Sequence, residues 1–285
     1  MILVFGKTGQ VASELQKLTV VKSLDRQMSD LIVPDNCVEA IFRYKPAAVI
    51  NAAAYTNVDK AENDEKLANL INGDSPRAMA KACAELNIPL LHISTDYVFD
   101  GVGTRAWQTF DVTNPQNAYG RSKLKGEEAI RASGCDYVIL RTSWVVSEYG
   151  NNFLKKMLHL SETKDSIKVV DDQVGGPTFA CDLAEACLEI IGQLIRDPKK
   201  SGIYHFSGTP DVSWCQFARE IFKKANRTTL VEPVLTSEFQ SSTLRPLNSR
   251  LNCDLTERTF NVARPYWINS LANVIKLLEI NHETA

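Results

Sequence analysis

The sequence predicts an α/β fold in which a doubly wound parallel sheet carries helices on both of its faces. Apolar runs alternate with helix-compatible segments through the first half of its 285 residues, which is the pattern of strands joined by crossover helices. A glycine turn directly follows the first apolar run, as in a Rossmann-type sheet. In such sheets ligands bind beyond the carboxyl ends of the strands, so we expect the site there.

The glycine turn is typical of a dinucleotide-binding segment. The run 1–5 breaks at Gly6, and a helix-compatible segment follows Ala12. Gly6 permits the turn, Gly9 lets a pyrophosphate approach the backbone, and Ala12 is small enough for close packing of helix and strand. The alternative is an ordinary strand-to-helix turn, but the position at the start of an α/β pattern favours dinucleotide binding.

The end of the next predicted strand bears on the choice of cofactor. It ends at Asp25 and Arg26. An acidic residue there holds ribose hydroxyls, as NADH requires, whereas an arginine accepts the 2′-phosphate of NADPH. Because Lys7 adds positive charge in the glycine turn, the sequence does not choose between NADPH and NADH. Asp30 and Leu31 are candidates for the adenine pocket, with a plain loop as the alternative.

Two further predicted strands end at polar or small residues. The strand at 47–50 is followed by the segment 51–56, whose three alanines leave room for a cofactor against the backbone. A predicted helix over 64–86 leads to the strand at 89–93, and Ser94-Thr95-Asp96 follows it. Because the carboxyl ends of parallel strands share one edge of the sheet, both segments are expected to line one site.

Tyr119 and Lys123 are candidate catalytic residues. They lie four apart in a helix predicted to begin near Ala118, after the turn 114–117. Residues at this spacing share a helix face, and an ammonium beside a phenol favours the phenolate and makes the phenol a better acid. One such spacing arises readily by chance. Its position in a first helical turn, together with Thr95, predicts a nicotinamide-dependent carbonyl reductase.

Composition excludes several classes of function. A net charge of -2 and a pI near 6.1 give no reason to expect nucleic acid or an anionic membrane as a partner. The apolar runs are far shorter than the ~20 residues that span a bilayer, and the first reaches Gly6 too soon for a signal peptide. We therefore expect a cytoplasmic protein. The seven cysteines form no CxxC pair and the four histidines no HxxxH pair, so no metal site is expected.

The second half of the chain predicts a smaller second domain. The alternation of strand and helix becomes less regular after about residue 145, and prolines interrupt the short elements of the last third. We expect a dinucleotide-binding domain over 1–145, with 168–200 returning to it through a helix at 182–194. The remainder, 146–167 and 201–285, is expected to be the substrate-binding domain.

Motifs along nearly the whole chain carry a resemblance to a known family. They are FGKTGQV at 5–11, NAAAYTNVDKAE at 51–62, STDYVFDG at 94–101, YGRSK at 119–123, RTSWV at 141–145, DDQVGGPT at 171–178 and RPLNSRL at 245–251. With these motifs the chain resembles the extended short-chain dehydrogenase/reductases, in the subfamily that reduces dTDP-4-dehydrorhamnose.

The resemblance implies a reaction and roles for residues. The reaction is reduction of the C4 ketone of dTDP-4-dehydro-β-L-rhamnose to dTDP-L-rhamnose, the last step in supplying a deoxysugar for polysaccharide. Tyr119 would give its proton to the developing alkoxide, Lys123 would bind the nicotinamide ribose and acidify Tyr119, and Thr95 would hydrogen-bond near the carbonyl oxygen. The residues implied for the cofactor are Gly6, Gly9, Gln10, Val11, Asp25, Asp30, Leu31, Ala54, Tyr55, Thr56, Ile93, Tyr119 and Lys123. Those implied for the substrate are Thr56, Val58, Thr95, Asp96, Tyr119 and Trp144.

Alternatives remain for some residues and for the function. Asp96 has a structural role as its alternative, and Trp144 a place in the core or a domain interface. Sugar-nucleotide dehydratases of the same superfamily place Asp-Glu after the equivalent threonine, whereas Asp96 is followed here by Tyr97, which argues against elimination. The other functions are a reductase or epimerase of another nucleotide-linked 4-ketosugar and a nonenzymatic regulatory subunit that binds a dinucleotide. The resemblance also implies a homodimer and Mg²⁺, although no carboxylate cluster in the sequence requires the ion.

Overall fold

The structure is a computed structural model that describes residues 1–238 and 243–283, with only the backbone described for 281–283. The predicted substrate-binding segment 201–285 therefore includes 239–242 and 284–285, which lie outside the described residues.

The strands and helices are numbered in chain order. The strands are β1 (Ile2–Phe5), β2 (Lys22–Leu24), β3 (Ala48–Asn51), β4 (Leu90–Thr95), β5 (Tyr137–Thr142), β6 (Val145–Val146), β7 (Ser166–Val170), β8 (Val174–Gly175), β9 (Thr178–Phe179), β10 (Gly202–His205), β11 (Val212–Ser213), β12 (Leu230–Val234) and β13 (Asn248–Ser249). The helices are α1 (Gln10–Leu18), α2 (Pro34–Tyr44), α3 (Val58–Asn63), α4 (Glu65–Asn69), α5 (Ser75–Leu86), α6 (Ala118–Arg131), α7 (Phe153–Ser161), α8 (Ala180–Arg196), α9 (Trp214–Lys224), α10 (Asp254–Phe260) and α11 (Trp267–Glu283).

The central sheet is parallel and doubly wound, which confirms the predicted fold class. Its strand order is β10-β5-β4-β3-β1-β2, and every neighbouring pair is parallel. The winding reverses between β1 and β3, so the carboxyl ends of these strands flank the switch point. β4, at the middle of the sheet, ends at Thr95 beside Thr142 of β5.

Alternation along the strands builds a core on each face of the sheet. Val4 packs with α1 and α8, whereas its neighbours Leu3 and Phe5 pack with α2 and α5. All three side chains are fully buried. Because successive side chains of a strand point to opposite faces, a continuous apolar run such as β1 requires helices on both sides.

The structure corrects the predicted return of 168–200 to the main sheet. β7 pairs instead with β12 in a separate two-stranded sheet, and only α8 packs back onto the main sheet. The sixth strand of the main sheet is β10, which falls in the segment assigned to the other domain. Ser166 and Lys168 are exposed on β7, whereas the strands of a doubly wound parallel sheet are buried on both faces.

The predicted helix over 64–86 is divided into three parts. α4 is followed by a π-helical turn, Leu70–Asp74, before α5 begins. This turn places the buried side chain of Asn72 against the backbone of Tyr55, which accounts for the extra residue in the turn. Such π-turns occur frequently at functional sites.

A second core supports the smaller part of the chain. It packs Phe179 with side chains of α7, α9 and α11, including the fully buried Phe217 and Trp267. No helix among residues 1–238 and 243–283 is long and apolar enough to cross a membrane.

Candidate active site

The start of α6 presents Tyr119 at the carboxyl edge of the sheet. The side chain of Asn117 caps the helix by accepting from Gly120 N at 2.8 Å, and its Nδ2 donates to Leu244 O at 2.9 Å. The predicted start near Ala118 is therefore confirmed, and the cap explains it, since Asn is among the preferred N-cap residues.

Two glycines bring α6 against its neighbours by direct backbone contact. A Cβ added at Gly120 would collide with the carbonyl oxygen of Tyr97, and one added at Gly126 would collide with that of Asn72. The phenol of Tyr119 meets Tyr97 edge to face, with ring centroids 5.5 Å apart. Because Gly120 and Gly126 have no side chains, the helix can approach the end of β4 this closely.

Thr95 and Tyr119 meet at the end of β4. Burial raises the pKa of the Tyr119 phenol, and a side-chain contact with the Thr95 hydroxyl opposes this rise. Burial has the larger effect, so the pKa of Tyr119 is raised above its ordinary value. The expected acidification by Lys123 is not seen, because Lys123 is not among the groups that shift this pKa. The phenol therefore holds its proton at neutral pH.

Lys123 shares the helix face of Tyr119 but its amine reaches β4. Nζ donates to Ile93 O at 2.7 Å and lies 3.1 Å from Nε2 of His92. The side chain is fully buried, and burial lowers the pKa of Lys123 to about 8 against the opposing effect of the Glu127 charge. Removal from water disfavours the charged amine, which leaves Lys123 able to gain or lose a proton near neutral pH.

Asp96 lies beside Thr95 as a buried acid. Thr95 Oγ1 donates to Asp96 Oδ1 at 3.1 Å, whereas Oδ2 has no hydrogen-bond partner among the described residues. Burial raises the pKa of Asp96 to about 6, and contacts with Ser249 and Thr95 oppose this. Asp96 therefore holds a proton more readily than an exposed aspartate does.

A buried ion pair fixes α6 against the sheet. Glu127 accepts from Arg141 of β5, with Arg141 Nη2 2.6 Å from Oε2, and from Ser94 Oγ of β4 at 2.5 Å. Both charged side chains are almost completely buried. Removing one partner of such a pair typically costs about 3–5 kcal/mol, so this pair holds helix and strands in one register.

The glycine turn has the form predicted from the sequence. Gly6 has φ +107°, and an added Cβ would lie 3.4 Å from both the Ala12 Cβ and the Ala52 carbonyl oxygen. Gly9 is the N-cap of α1, and a Cβ added there would meet nothing within 4 Å. Open space beside the N-terminus of a nine-residue helix suits a phosphate.

Charged pairs occupy the end of β2. Lys7 Nζ lies 3.1 Å from Asp25 Oδ2, and Arg26 Nε lies 3.1 Å from Asp30 Oδ2. The hydrogen bond from Lys7 is the main cause of the lowered pKa of Asp25. Asp25 and Asp30 are thus both paired with cations at the end of β2, where the adenine ribose is expected to bind.

The segment after β3 is tied to α6. Asn72 accepts from Tyr55 N at 2.8 Å, donates to Tyr55 O at 3.0 Å and also donates to Ser122 Oγ at 2.9 Å. Thr56 is exposed and Val58 half-buried at the first turn of α3. This arrangement brings the predicted residues of the segment beside the helix that carries Tyr119.

The remaining predicted residues fall around the same edge. Gln10 accepts from Asn152 at 2.9 Å, Val11 is buried in the core behind the glycine turn, and Leu31 packs against the core between sheet and α2. Ala54 follows β3, and Ile93 precedes Ser94 in β4. The structure thus places them near the sheet edge, whereas their contacts with a cofactor remain predictions.

Trp144 lies just beyond β5 in an unusual backbone conformation. Its φ is +52°, which is rare for a bulky residue and costs on the order of 1–3 kcal/mol. Its ring stacks on that of Trp214, the first residue of α9. The side chain is half-buried, so it joins the two parts of the chain and still presents a surface.

Sequence reasoning missed several residues of this site. They are His92, Asn72, Glu127, Arg141 and Trp214. Only His92 carried a readable signal, since it is a polar residue within an apolar strand, and the sequence gave no reason to prefer a role at the site over a structural one. The others contact the site through pairings between distant parts of the chain.

The fold and the site define the class of the protein and its family. A Rossmann-type sheet with Thr95, Tyr119 and Lys123 at its carboxyl edge defines an oxidoreductase that uses a nicotinamide dinucleotide. The family described as RmlD substrate binding domain matches residues 1–280, and the chain belongs to that family.

Individual relatives agree with this assignment. The chain is 38% identical to a dTDP-4-dehydrorhamnose reductase from Sinorhizobium fredii, over 100% of this chain and 99% of the relative. A dTDP-4-dehydrorhamnose reductase structure from Clostridium acetobutylicum superimposes with a TM-score of 0.91 at 38% identity, covering 98% and 99% of the two chains. One from Bacillus anthracis in complex with NADP gives 0.90 at 34% identity, covering 97% and 98%.

Proposed function

We propose that the protein reduces the C4 ketone of dTDP-4-dehydro-β-L-rhamnose with NADPH or NADH, forming dTDP-L-rhamnose in the final step of its synthesis. Full-length relatives named dTDP-4-dehydrorhamnose reductase support the substrate. The observation that carries the chemistry is the contact between the hydroxyls of Thr95 and Tyr119 at the end of β4, with Lys123 on the same helix face.

The residues fit a dinucleotide. Open space at Gly9 and the turn at Gly6 leave the N-terminus of α1 free for a pyrophosphate. When bound, the dinucleotide supplies the hydride that forms the new C–H bond at C4. Lys123 is the residue that would hold the nicotinamide ribose through its amine.

Tyr119 supplies the proton. As the C4 oxygen gains negative charge, the phenol transfers its proton to that oxygen, and the ketone becomes a hydroxyl. Because its pKa is raised, Tyr119 stays protonated until negative charge develops on the C4 oxygen. Thr95 contacts the phenol and orients it, while its own hydroxyl proton is donated to Asp96 Oδ1.

The substrate pocket extends toward the residues after β4 and β12. A cavity of about 210 Å³ is lined by Tyr97, Gly101, Asn117, Arg245 and Leu247 among others. Arg245 pairs with Asp59 at 2.8 Å. We assign the nucleotide-sugar to this side of Tyr119, with Thr56, Val58, Asp96 and Trp144 as contacts.

The test is oxidation of NADPH and NADH, offered separately, with dTDP-4-dehydrorhamnose generated in place by its upstream enzymes. We expect dTDP-L-rhamnose as the product and its loss in Tyr119→Phe. Turnover only with another nucleotide-linked 4-ketosugar would assign the alternative reductase or epimerase. Cofactor binding without turnover on any ketosugar of a wider panel would assign a regulatory subunit.

Three expectations concern the protein as a whole. A homodimer, assistance by Mg²⁺ and a cytoplasmic location belong to the proposal and rest on the resemblance and composition. The described residues contain no group of three or more His, Cys, Asp or Glu side chains that could hold a metal. Sedimentation of the protein with Mg²⁺ and with a chelator tests the first two.

A further inference from the structure

His92 is a fully buried histidine between two hydrogen-bond donors. On one side Nδ1 lies 3.0 Å from Asn51 Nδ2 of β3, and on the other Nε2 lies 3.1 Å from Lys123 Nζ of α6. A neutral imidazole has one donor and one acceptor nitrogen, so it cannot accept from both neighbours at once.

The backbone beyond Asn51 decides which nitrogen accepts. Asn51 Oδ1 accepts from Ala53 N at 3.1 Å, which turns its Nδ2 toward His92. Nδ1 of His92 therefore accepts, and the single imidazole proton lies on Nε2. This proton faces Nζ, and an ammonium has no lone pair to receive it. The arrangement fits a neutral Lys123 that accepts from His92 and donates to Ile93 O.

A protonated Lys123 requires the reverse arrangement. Its ammonium needs Nε2 of His92 as an acceptor, so the imidazole proton moves to Nδ1. Nδ1–H then needs the carbonyl oxygen of the Asn51 amide, and this oxygen turns away from Ala53 N. The proton on Lys123 is thereby linked to the turn after β3, where the cofactor is expected.

The surrounding charges leave Lys123 as the group that titrates. Glu127 on the same helix is held by Arg141 of β5 and Ser94 of β4, and Asn51 of β3 carries no charge. Burial holds the pKa of His92 well below its ordinary value, and the Lys123 charge lowers it further. The imidazole therefore stays neutral at the pH at which Lys123, with its pKa of about 8, changes charge.

We propose that His92 is a positioning residue that follows the proton on Lys123 by exchanging its own tautomer and passes the change through Asn51 to the turn at Ala53. The exchange depends only on the folded protein, whereas its use in catalysis rests on the proposed function. During reduction, the tautomer exchange would let Lys123 bind or release a proton in a water-excluded site. His92 Nε2 and Lys123 Nζ would then never face each other as two hydrogen-bond donors.

The first test is nitrogen NMR of the imidazoles in the whole protein, without substrate. The chain has four histidines, so His92→Gln assigns the signal. We expect the Nε2–H tautomer above the Lys123 pKa of about 8 and the Nδ1–H tautomer below it, with the exchange lost in Lys123→Met. His205 is the matched control, since it is also fully buried and does not contact Lys123. One tautomer throughout, or an exchange that persists in Lys123→Met, overturns the proposal.

The second test uses the pH profile of kcat/KM. In Asn51→Asp a carboxylate accepts permanently from Nδ1–H, which leaves Nε2 as an acceptor for the ammonium and raises the pKa of Lys123. We expect the alkaline limb to move up by about one pH unit, roughly a tenfold change in proton concentration, and His205→Gln to leave its position unchanged. A uniform loss of rate at every pH contradicts the coupling. Absence of reductase activity alongside the NMR exchange contradicts the proposed function and leaves the exchange standing.

Discussion

The indole of Trp144 stacks on that of Trp214, with ring centroids 3.6 Å apart and planes within 12°. Trp144 follows the last residues of β5, whereas Trp214 opens α9, so the stack connects the sheet edge with the smaller part of the chain. Gly175 leaves space beside it, because an added Cβ would lie 3.1 Å from Cε2 of Trp144. The left-handed backbone at Trp144 is thus supported by contacts of its own ring.

Trp214→Leu is expected to raise KM for the sugar nucleotide more than it lowers kcat. An aromatic pair contributes about 0.5–1.5 kcal/mol beyond its buried area, so we expect a rise of roughly twofold to tenfold. Trp214→Phe should keep most of the affinity because it retains a stacking ring. Steady-state kinetics of both variants checks this prediction. An equal rise in KM in Trp214→Leu and Trp214→Phe would show that the stack does not orient Trp144.

Tyr119→Phe is expected to lose most of kcat while it keeps cofactor binding. Removal of a positioned proton donor typically costs about 10²–10⁴-fold. Single-turnover rates and titration with NADPH separate the two effects. Tyr204→Phe is the matched control, because it removes another hydroxyl, one that donates to Lys200 O at 2.8 Å far from Thr95. Full turnover in Tyr119→Phe would rule out the assigned role.

Lys123→Met is expected to weaken cofactor binding and rate together. One amine serves both functions, so each should change by at least about tenfold, or 1.4 kcal/mol. Cofactor titration, kcat and thermal unfolding are measured on the same sample. A variant with normal binding and rate but lower thermal stability would leave Lys123 with a structural role only.

Lys7→Ala and Arg26→Ala are expected to reduce use of NADPH relative to NADH. Both cations lie at the end of β2, paired with Asp25 and Asp30, where they would face a 2′-phosphate. We expect about a tenfold rise in KM for NADPH and little change for NADH. Lys22→Ala is the matched control, since this lysine contacts the Tyr44 ring instead. Equal effects on both cofactors would place the cations away from the 2′ position.

Asp96→Asn is expected to stabilise the protein more at pH 7 than at pH 5. The pKa of Asp96 is raised from 3.8 to about 6 in the folded state, so the native protein binds the extra proton and loses stability as pH rises through that interval. The asparagine variant lacks this loss, which is on the order of 3 kcal/mol at full ionisation. Urea unfolding at both pH values checks the sign. A constant difference between variant and parent would mean that Asp96 does not titrate there.

Local pattern predicted the parts of the fold that depend on local chemistry. The glycine turn at Gly6 and the capped start of α6 follow from neighbouring residues, and both were predicted. The pairing of β7 with β12 spans more than sixty residues, for example Ser166 with Leu230, and short strands of this kind carry little periodicity. The direction of the shift in the Tyr119 pKa also depends on burial of the phenol, which cannot be predicted from residue spacing along a helix.

The glycines of α6 have a consequence for how the enzyme would tolerate change. At Gly120 and Gly126 the helix touches carbonyl oxygens of its neighbours without an intervening side chain, so main-chain atoms limit how closely the helix that carries Tyr119 approaches the end of β4. A methyl group at either position would act as a spacer and lift the phenol from the threonine, since close-packed backbone cannot yield as a side chain does. Substitutions that shift the backbone of this helix would therefore misalign the hydroxyls of Tyr119 and Thr95, even where no functional group is altered.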